Sequence, residues 1–114
     1  MYCENKKLKR PDIFCGIFYA FTTGVTAHFR FNGRQVKIYT VKEPAGGRIK
    51  YTLDGGVDVQ TISNYSPTQV GNSLSYTSPV LPPGDHDLVI QVDGSHEASA
   101  TSNTITVDKA EVFN

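Results

Sequence analysis

The chain has no tryptophan, one methionine and two cysteines in 114 residues. Two cysteines, Cys3 and Cys15, make neither a disulfide framework nor a zinc site. They are free thiols in a reducing compartment or a single bridge in an oxidising one. Net charge is absent as well. Eleven basic side chains offset eleven acidic ones, so the whole lacks the polycationic signature of a nucleic-acid binder. No apolar run approaches the roughly 20 residues of a membrane-spanning helix. Long runs of Ala, Leu, Glu and Lys are missing too, which excludes a helical bundle. The Gly-Gly pairs at 46–47 and 55–56 lack the Lys-Ser/Thr of a phosphate-cradling loop and read as turns.

What is present is a rhythm of short alternating segments divided by turn residues. From His86 to Val92, His86, Leu88, Ile90 and Val92 share one face, and Asp87, Val89 and Gln91 share the other. An antiparallel strand with one wet face alternates in this way. The same period places Phe29 with Phe31, Val36 with Ile38 and Thr40, and Ile49 with Tyr51 and Leu53. It also pairs Leu74 with Tyr76 as inward residues, and Ile105 with Val107. Asn32-Gly33 predicts a two-residue hairpin between the Phe29 and Val36 segments, because that dipeptide accepts positive φ. Asp54-Gly55-Gly56 predicts a tight turn. Seven or eight short strands with no helix predict an all-β fold, an antiparallel two-sheet β-sandwich or jelly roll.

At this length the chain makes one domain with one two-layer core. The expected sandwich runs over residues 13–114, preceded by a basic leader or disordered segment over 1–12. Lys6, Lys7, Lys9 and Arg10 precede an apolar stretch, Ile13 to Phe21, in the order of a signal peptide. Pro11-Asp12 divides the two, and cleavage after Ala27 would remove residues that a first strand needs, so Ile13 to Phe21 reads as a strand. Residues 1–50 carry ten Lys or Arg against three acids, and residues 51–114 carry Lys109 alone against eight. A sandwich that interleaves its halves brings these charges together rather than forming one basic face.

The motifs then carry a resemblance. Phe29-Arg-Phe-Asn-Gly33 leads into Val36-Lys-Ile-Tyr39, and Tyr51-Thr-Leu-Asp-Gly55 follows. Later come Ser78 to Ile90, with Leu81-Pro-Pro-Gly-Asp-His-Asp-Leu, and Ile105-Thr-Val-Asp108 with Glu111-Val112. In this order they are similar to galactose-binding-like jelly-roll domains of the carbohydrate-binding-module type, over roughly residues 19–114. Such domains have one or two more strands before the first of these segments. The resemblance therefore implies N-terminal truncation, with an edge left open or filled by Ile13 to Phe21.

The chemistry for catalysis is thin. His86 lies between Asp85 and Asp87 but has no nucleophile elbow to serve, and it reads as a structural residue bonding the preceding turn. The pairs Asp85/Asp87 and Asp54/Asp58 read as solvated turn acids rather than as the acid and base of a glycosidase. No Asp-x-Asp-x-Asp-Gly loop is present, so no cofactor is expected; a structural calcium is the one alternative that loop aspartates leave open. The resemblance implies a non-catalytic carbohydrate-binding module of an extracellular or cell-surface protein. The alternative is a structural or protein-interaction sandwich without a sugar ligand, with homodimerisation through an open sheet edge among its expectations. A cytoplasmic setting stays open alongside the redox state of the cysteines. Sugar recognition needs aromatic faces and bidentate polar groups on outward or loop positions. Those are Tyr65, Tyr39, Arg34, Arg48, Asn64, His96 and Asn103. Asn64-Tyr65-Ser66 is also an N-glycosylation sequon.

Overall fold

Ten strands and no helix are found among the residues that the structure, a computed structural model, describes: 2–5, 12–13 and 18–113. Three are short: β1 (Tyr2–Asn5), β2 (Asp12–Ile13) and β3 (Phe18–Ala20). Seven are longer: β4 (Thr26–Gly33), β5 (Gln35–Lys42), β6 (Arg48–Leu53), β7 (Asp58–Ser63), β8 (Val70–Thr77), β9 (Gly84–Val92) and β10 (Ile105–Phe113). One sheet has the antiparallel body β4-β9-β6-β7, with β1 added in parallel to β4. The other has the antiparallel body β3-β10-β5-β8. There β2 pairs with β10 at Ala110 and Glu111, beside the stretch that β3 occupies. From β3 to β10 the chain changes sheet at every connection except β6–β7. Two four-stranded bodies wound in this order form a β-sandwich compatible with a jelly roll.

The alternating pattern explains the core. Phe29, Phe31, Val36, Ile38, Ile49, Tyr51, Leu53, Leu88, Ile90, Val92, Ile105 and Val112 are all buried between the sheets. Each such side chain contributes roughly 1.5–3 kcal/mol by leaving water. The two charge halves interleave as the two-sheet reading requires: Arg30 lies opposite Asp87, and Lys37 lies opposite Glu111. No helix among the described residues is long and apolar enough to cross a membrane.

The Asn32-Gly33 hairpin does not form. β4 pairs with β1 and β9, and β5 pairs with β8 and β10, so the two strands lie in opposite sheets. Gly33 is not among the residues with positive φ. The chain turns a corner at Arg34, whose N–H donates to the Phe113 carbonyl at 2.8 Å and whose carbonyl accepts from Leu81 N–H at 2.6 Å. Both arrangements keep the apolar side of each strand facing inward, so local chemistry does not choose between them. The long ladder from Thr26–Gln91 to Gly33–Gly84 does. The turn at Asp54 behaves as its residues demand. Asp54, Gly55 and Gly56 all have positive φ, and β6 and β7 form a regular hairpin.

Leu74 is a second correction. It stands 49% exposed on the outer face, whereas Tyr76 is buried. The register shifts within the β5–β8 ladder, from Ile38–Tyr76 to Tyr39–Leu74, and Ser75 is the extra residue. Such a bulge reverses the parity of everything beyond it. Ser75 thereby joins Tyr76 on the inner side. The Tyr51 and Tyr76 rings stack with centroids 4.7 Å apart. The Tyr51 hydroxyl pairs with Ser75 Oγ at 2.7 Å, and the Tyr76 hydroxyl donates to Asp58 Oδ2 at 2.7 Å. These two crossed bonds tie β6 and β7 to β8 across the sandwich.

The stretch expected to be one strand, Ile13 to Phe21, supplies part of β2 and β3 along the edge of β10. Within it residues 14–17, including Cys15, lie outside the described residues, as do residues 1 and 6–11 of the expected leader.

Candidate functional site

Three connections meet at one end of the sandwich: residues 43–47, 64–69 and 93–104. Their backbones are stitched together. Gly47 N–H donates to the Thr104 carbonyl at 2.7 Å, Asn64 N–H to the Gly47 carbonyl at 2.9 Å, and Thr101 N–H to the Pro44 carbonyl at 3.0 Å. The Gly-Gly pair is what lets them approach. A Cβ on Gly46 would come within 1.9 Å of the Asn64 carbonyl oxygen, and one on Gly47 within 2.6 Å of the Asn103 Cα. This rim is a preformed surface, held by main-chain bonds rather than by side-chain chance.

Five of the seven expected ligand residues reach this rim, linked through their neighbours. Arg48 Nη1 donates to Ser95 Oγ at 3.2 Å, and Ser95 Oγ donates in turn to Asp93 Oδ2. The exposed His96 uses Nδ1 to meet Asn103 Oδ1. Because that oxygen only accepts, His96 Nδ1 carries the hydrogen. Ser63 Oγ donates to Glu97 Oε2 at 2.7 Å and accepts the Tyr65 N–H at 3.2 Å. Tyr65 is half-buried and bridges to Glu43. Asn64 is placed differently from the expectation. It is wholly buried, and its Oδ1 accepts from Thr40 Oγ1 at 2.9 Å, while its Nδ2 has no partner. It braces the rim from beneath and presents nothing to solvent, either to a ligand or as a glycosylation acceptor.

Two expected residues lie elsewhere. Arg34 sits at the opposite end, a β5 length of about 26 Å away. Tyr39 is on the outer face of the second sheet. Its hydroxyl donates to Glu111 Oε1 at 3.0 Å, and Lys109 Nζ lies 4.7 Å from the ring centroid. Partial burial, the Glu111 hydrogen bond and the Glu111 charge raise its phenol above the ordinary tyrosine value.

A second group of polar residues escapes the sequence reading. Arg30, Asp54, Asp85, His86 and Asp87 line an open depression of about 350 Å³ near the end of the sandwich that holds Arg34. Arg30 Nε lies 3.9 Å from Asp87 Oδ1, His28 Nδ1 lies 3.6 Å from Asp87 Oδ2, and Asn32 Nδ2 donates to Asp85 Oδ1 at 3.0 Å. The alternation puts all of these on wet faces. Only the β4–β9 register brings them together. Beneath them His86 is 10% exposed and packs 5.4 Å from the Phe31 ring centroid. Its Nδ1 meets Asp54 Oδ2 at 2.7 Å, and its Nε2 meets the Pro82 carbonyl at 2.8 Å. Asp54 Oδ1 also accepts the Asp87 N–H at 2.8 Å. This is a His–Asp pair without a nucleophile, since a carbonyl occupies the place a hydroxyl would need. It fastens the turn at 54–57 to the connection before β9, the structural role the sequence suggests for His86.

Among the described residues no group of three or more His, Cys, Asp or Glu side chains is arranged to hold a metal ion. No protein-family model matches the chain, and no curated protein is significantly similar to it.

Proposed function

We propose that this domain is a non-catalytic recognition module that binds a neutral glycan at the rim formed by residues 43–47, 64–69 and 93–104, in the manner of the galactose-binding-like jelly rolls its motifs resemble. The convergence of Arg48, Ser95, His96, Asn103 and Tyr65 on one preformed end carries this reading. Amide, imidazole and guanidinium groups exchange hydrogen bonds with vicinal hydroxyls without needing a charged ligand, and Tyr65 offers an aromatic edge. With no tryptophan in the chain, one partial stacking contact and a few exchanged hydrogen bonds yield about 4 kcal/mol, a dissociation constant of about 1 mM. The Pro82 carbonyl holds His86 Nε2 in a bracing role, and an extracellular or cell-surface setting goes with this ligand class.

The test is a titration of the labelled protein with a panel of neutral mono- and oligosaccharides, followed by amide resonances. Saturable shifts confined to residues 48, 63–65 and 95–103, lost in Arg48→Ala and His96→Ala, are expected. No shift with any sugar, or shifts centred on the Arg30–Asp87 depression, would refute the assignment.

A second reading, a protein-interaction domain, is favoured by one observation. Val57, Val59, Val70, Leu74 and Val80 are all exposed, and four of them lie on or beside the edge strands β7 and β8.

A further inference from the structure

The sandwich has two protected edges and two unprotected ones. On one side the edges are taken by the short strands β1, β2 and β3. On the other side lie β7 and β8, each paired on one flank only among the described residues. Natural sheets blunt such edges with bulges, lysine, proline, inward-pointing charges or very short strands. β8 is blunted: its register shifts twice, Asn72 has φ +53°, and the Asn72 N–H is taken by Asp108 Oδ2 at 3.2 Å. β7 has only one of these devices, an inward-pointing charge. Its six residues pair with β6 in unbroken register, and it contains no lysine, arginine or proline. Its single charge, Asp58, is turned inward to accept from the Tyr76 hydroxyl and from Gln60 Nε2. What the edge offers to solvent is Val59, Gln60 and Thr61, all exposed, next to Val57 at 64% exposure.

We propose that β7 is a self-association edge, along which two copies of this chain join antiparallel to make one continuous ten-stranded sheet. The occupant is a second copy because the strand is complementary to itself. In a continuous antiparallel sheet, opposed residues share a face and therefore a parity. Two central registers satisfy this. One sets Thr61 against Thr61, Val59 against Ser63 and Gln60 against Ile62. The other sets Gln60 against Gln60, Val59 against Thr61 and Asp58 against Ile62. Neither opposes like charges. The nearest outward cation is Lys50 on β6. Its two copies would stand three strand spacings apart, about 14 Å, beyond the screening length of about 10 Å at 0.1 M salt. The whole chain has zero formal charge, so nothing repels the approach at long range. This inference does not rest on glycan binding: the rim and the β7 edge share Ser63 alone, whose hydroxyl serves the rim while its main chain lies on the edge.

The experiment is light scattering of the full chain after size exclusion, over about a hundredfold range of concentration. It is paired with amide hydrogen exchange at low and high concentration. A monomer–dimer equilibrium is expected, with protection rising at high concentration only in β7. The double variant Val59→Lys/Thr61→Lys places lysines against each other across the join while leaving both side chains in solvent in the monomer. It should raise the dissociation constant about tenfold or more with an unchanged unfolding midpoint. Leu74→Lys, on β8, should leave it unchanged. A chain monomeric at every concentration overturns the proposal. So does a dimer that survives the double lysine variant or one that Leu74→Lys breaks instead. The exchange measurement needs no variant, so a misfolded double mutant does not protect the proposal. Sugar titration of the double variant separates this outcome from the glycan reading.

Discussion

Raising the pH above 10 should unfold this domain through two tyrosines. Tyr51 is fully buried and Tyr76 is 1% exposed. Burial raises both phenols well above their ordinary value of 10.0. At Tyr51 the Ser75 bond opposes this, and at Tyr76 the hydrogen bond and charge of Asp58 reinforce it. The folded chain therefore keeps phenolic protons that the unfolded chain releases near pH 10. Below pH 10 both states hold them and the stability is fully present. Above it the native state binds more protons than the unfolded state, so stability falls as pH rises. One group contributes a slope of about 1.4 kcal/mol per pH unit, and the pair about 2.7. Against a total of about 5–15 kcal/mol, little more than two pH units of such loss consumes a marginal domain. The assay is urea unfolding by circular dichroism at half-unit steps from pH 8 to 11.5, with tyrosine ionisation followed by absorbance. Tyr39 beside Glu111 shifts in the same sense, and Tyr39→Phe removes its share. The decisive quantity is the difference between the wild type and Tyr51→Phe/Tyr76→Phe, whose slope should be shallower by the pair's contribution. Equal slopes, or two buried tyrosines ionising near pH 10 in a chain that stays folded, would refute the reasoning.

Three further outcomes follow from particular contacts. Gly46→Ala forces a Cβ to within 1.9 Å of a main-chain oxygen and should cost about 3 kcal/mol or more in urea unfolding. Gly55→Ala, at φ +71° in open space, should cost only about 1 kcal/mol. His86→Ala strips partners from Asp54 and the Pro82 carbonyl and should cost about 1–3 kcal/mol, whereas His28→Ala on the wet face should stay within about 0.5 kcal/mol.

The faces of this protein are legible in its sequence because burial is read one strand at a time. Whether Phe31, Ile38 or Leu88 points inward depends only on the two-residue period, and all three do. Pairing is a different kind of information. Asn32-Gly33 has the chemistry of a hairpin, yet β4 finds eight partners in β9, more than fifty residues away, and turns from β5 altogether. The bulge at Ser75 is similarly invisible. The alternation counts Leu74 and Tyr76 as equivalent, and contacts across the core, Tyr51 with Ser75 and Tyr76 with Asp58, break the tie.

The same distinction decides how much of the rim could be foreseen. Arg48, Tyr65, His96 and Asn103 stand in or beside loops whose composition marks them, and loops of a sandwich gather at its ends whichever strands pair. Their meeting was therefore implied by the architecture. Asn64 shared that composition but not that fate, because its main chain is fixed between Gly47 and Glu43 and its Oδ1 accepts from Thr40 beneath the rim. The Arg30–Asp87 depression is the converse case. Arg30, Asn32, Asp85 and Asp87 alternate onto a wet face, where a charge or an amide reads as mere solubility. The depression exists only because the register sets Arg30 opposite Asp87 and Asn32 opposite Asp85. A shift of two residues would keep every face correct and dissolve the cluster. A site made by register across distant strands is thus fixed by the whole ladder, and no segment of the sequence carries it alone.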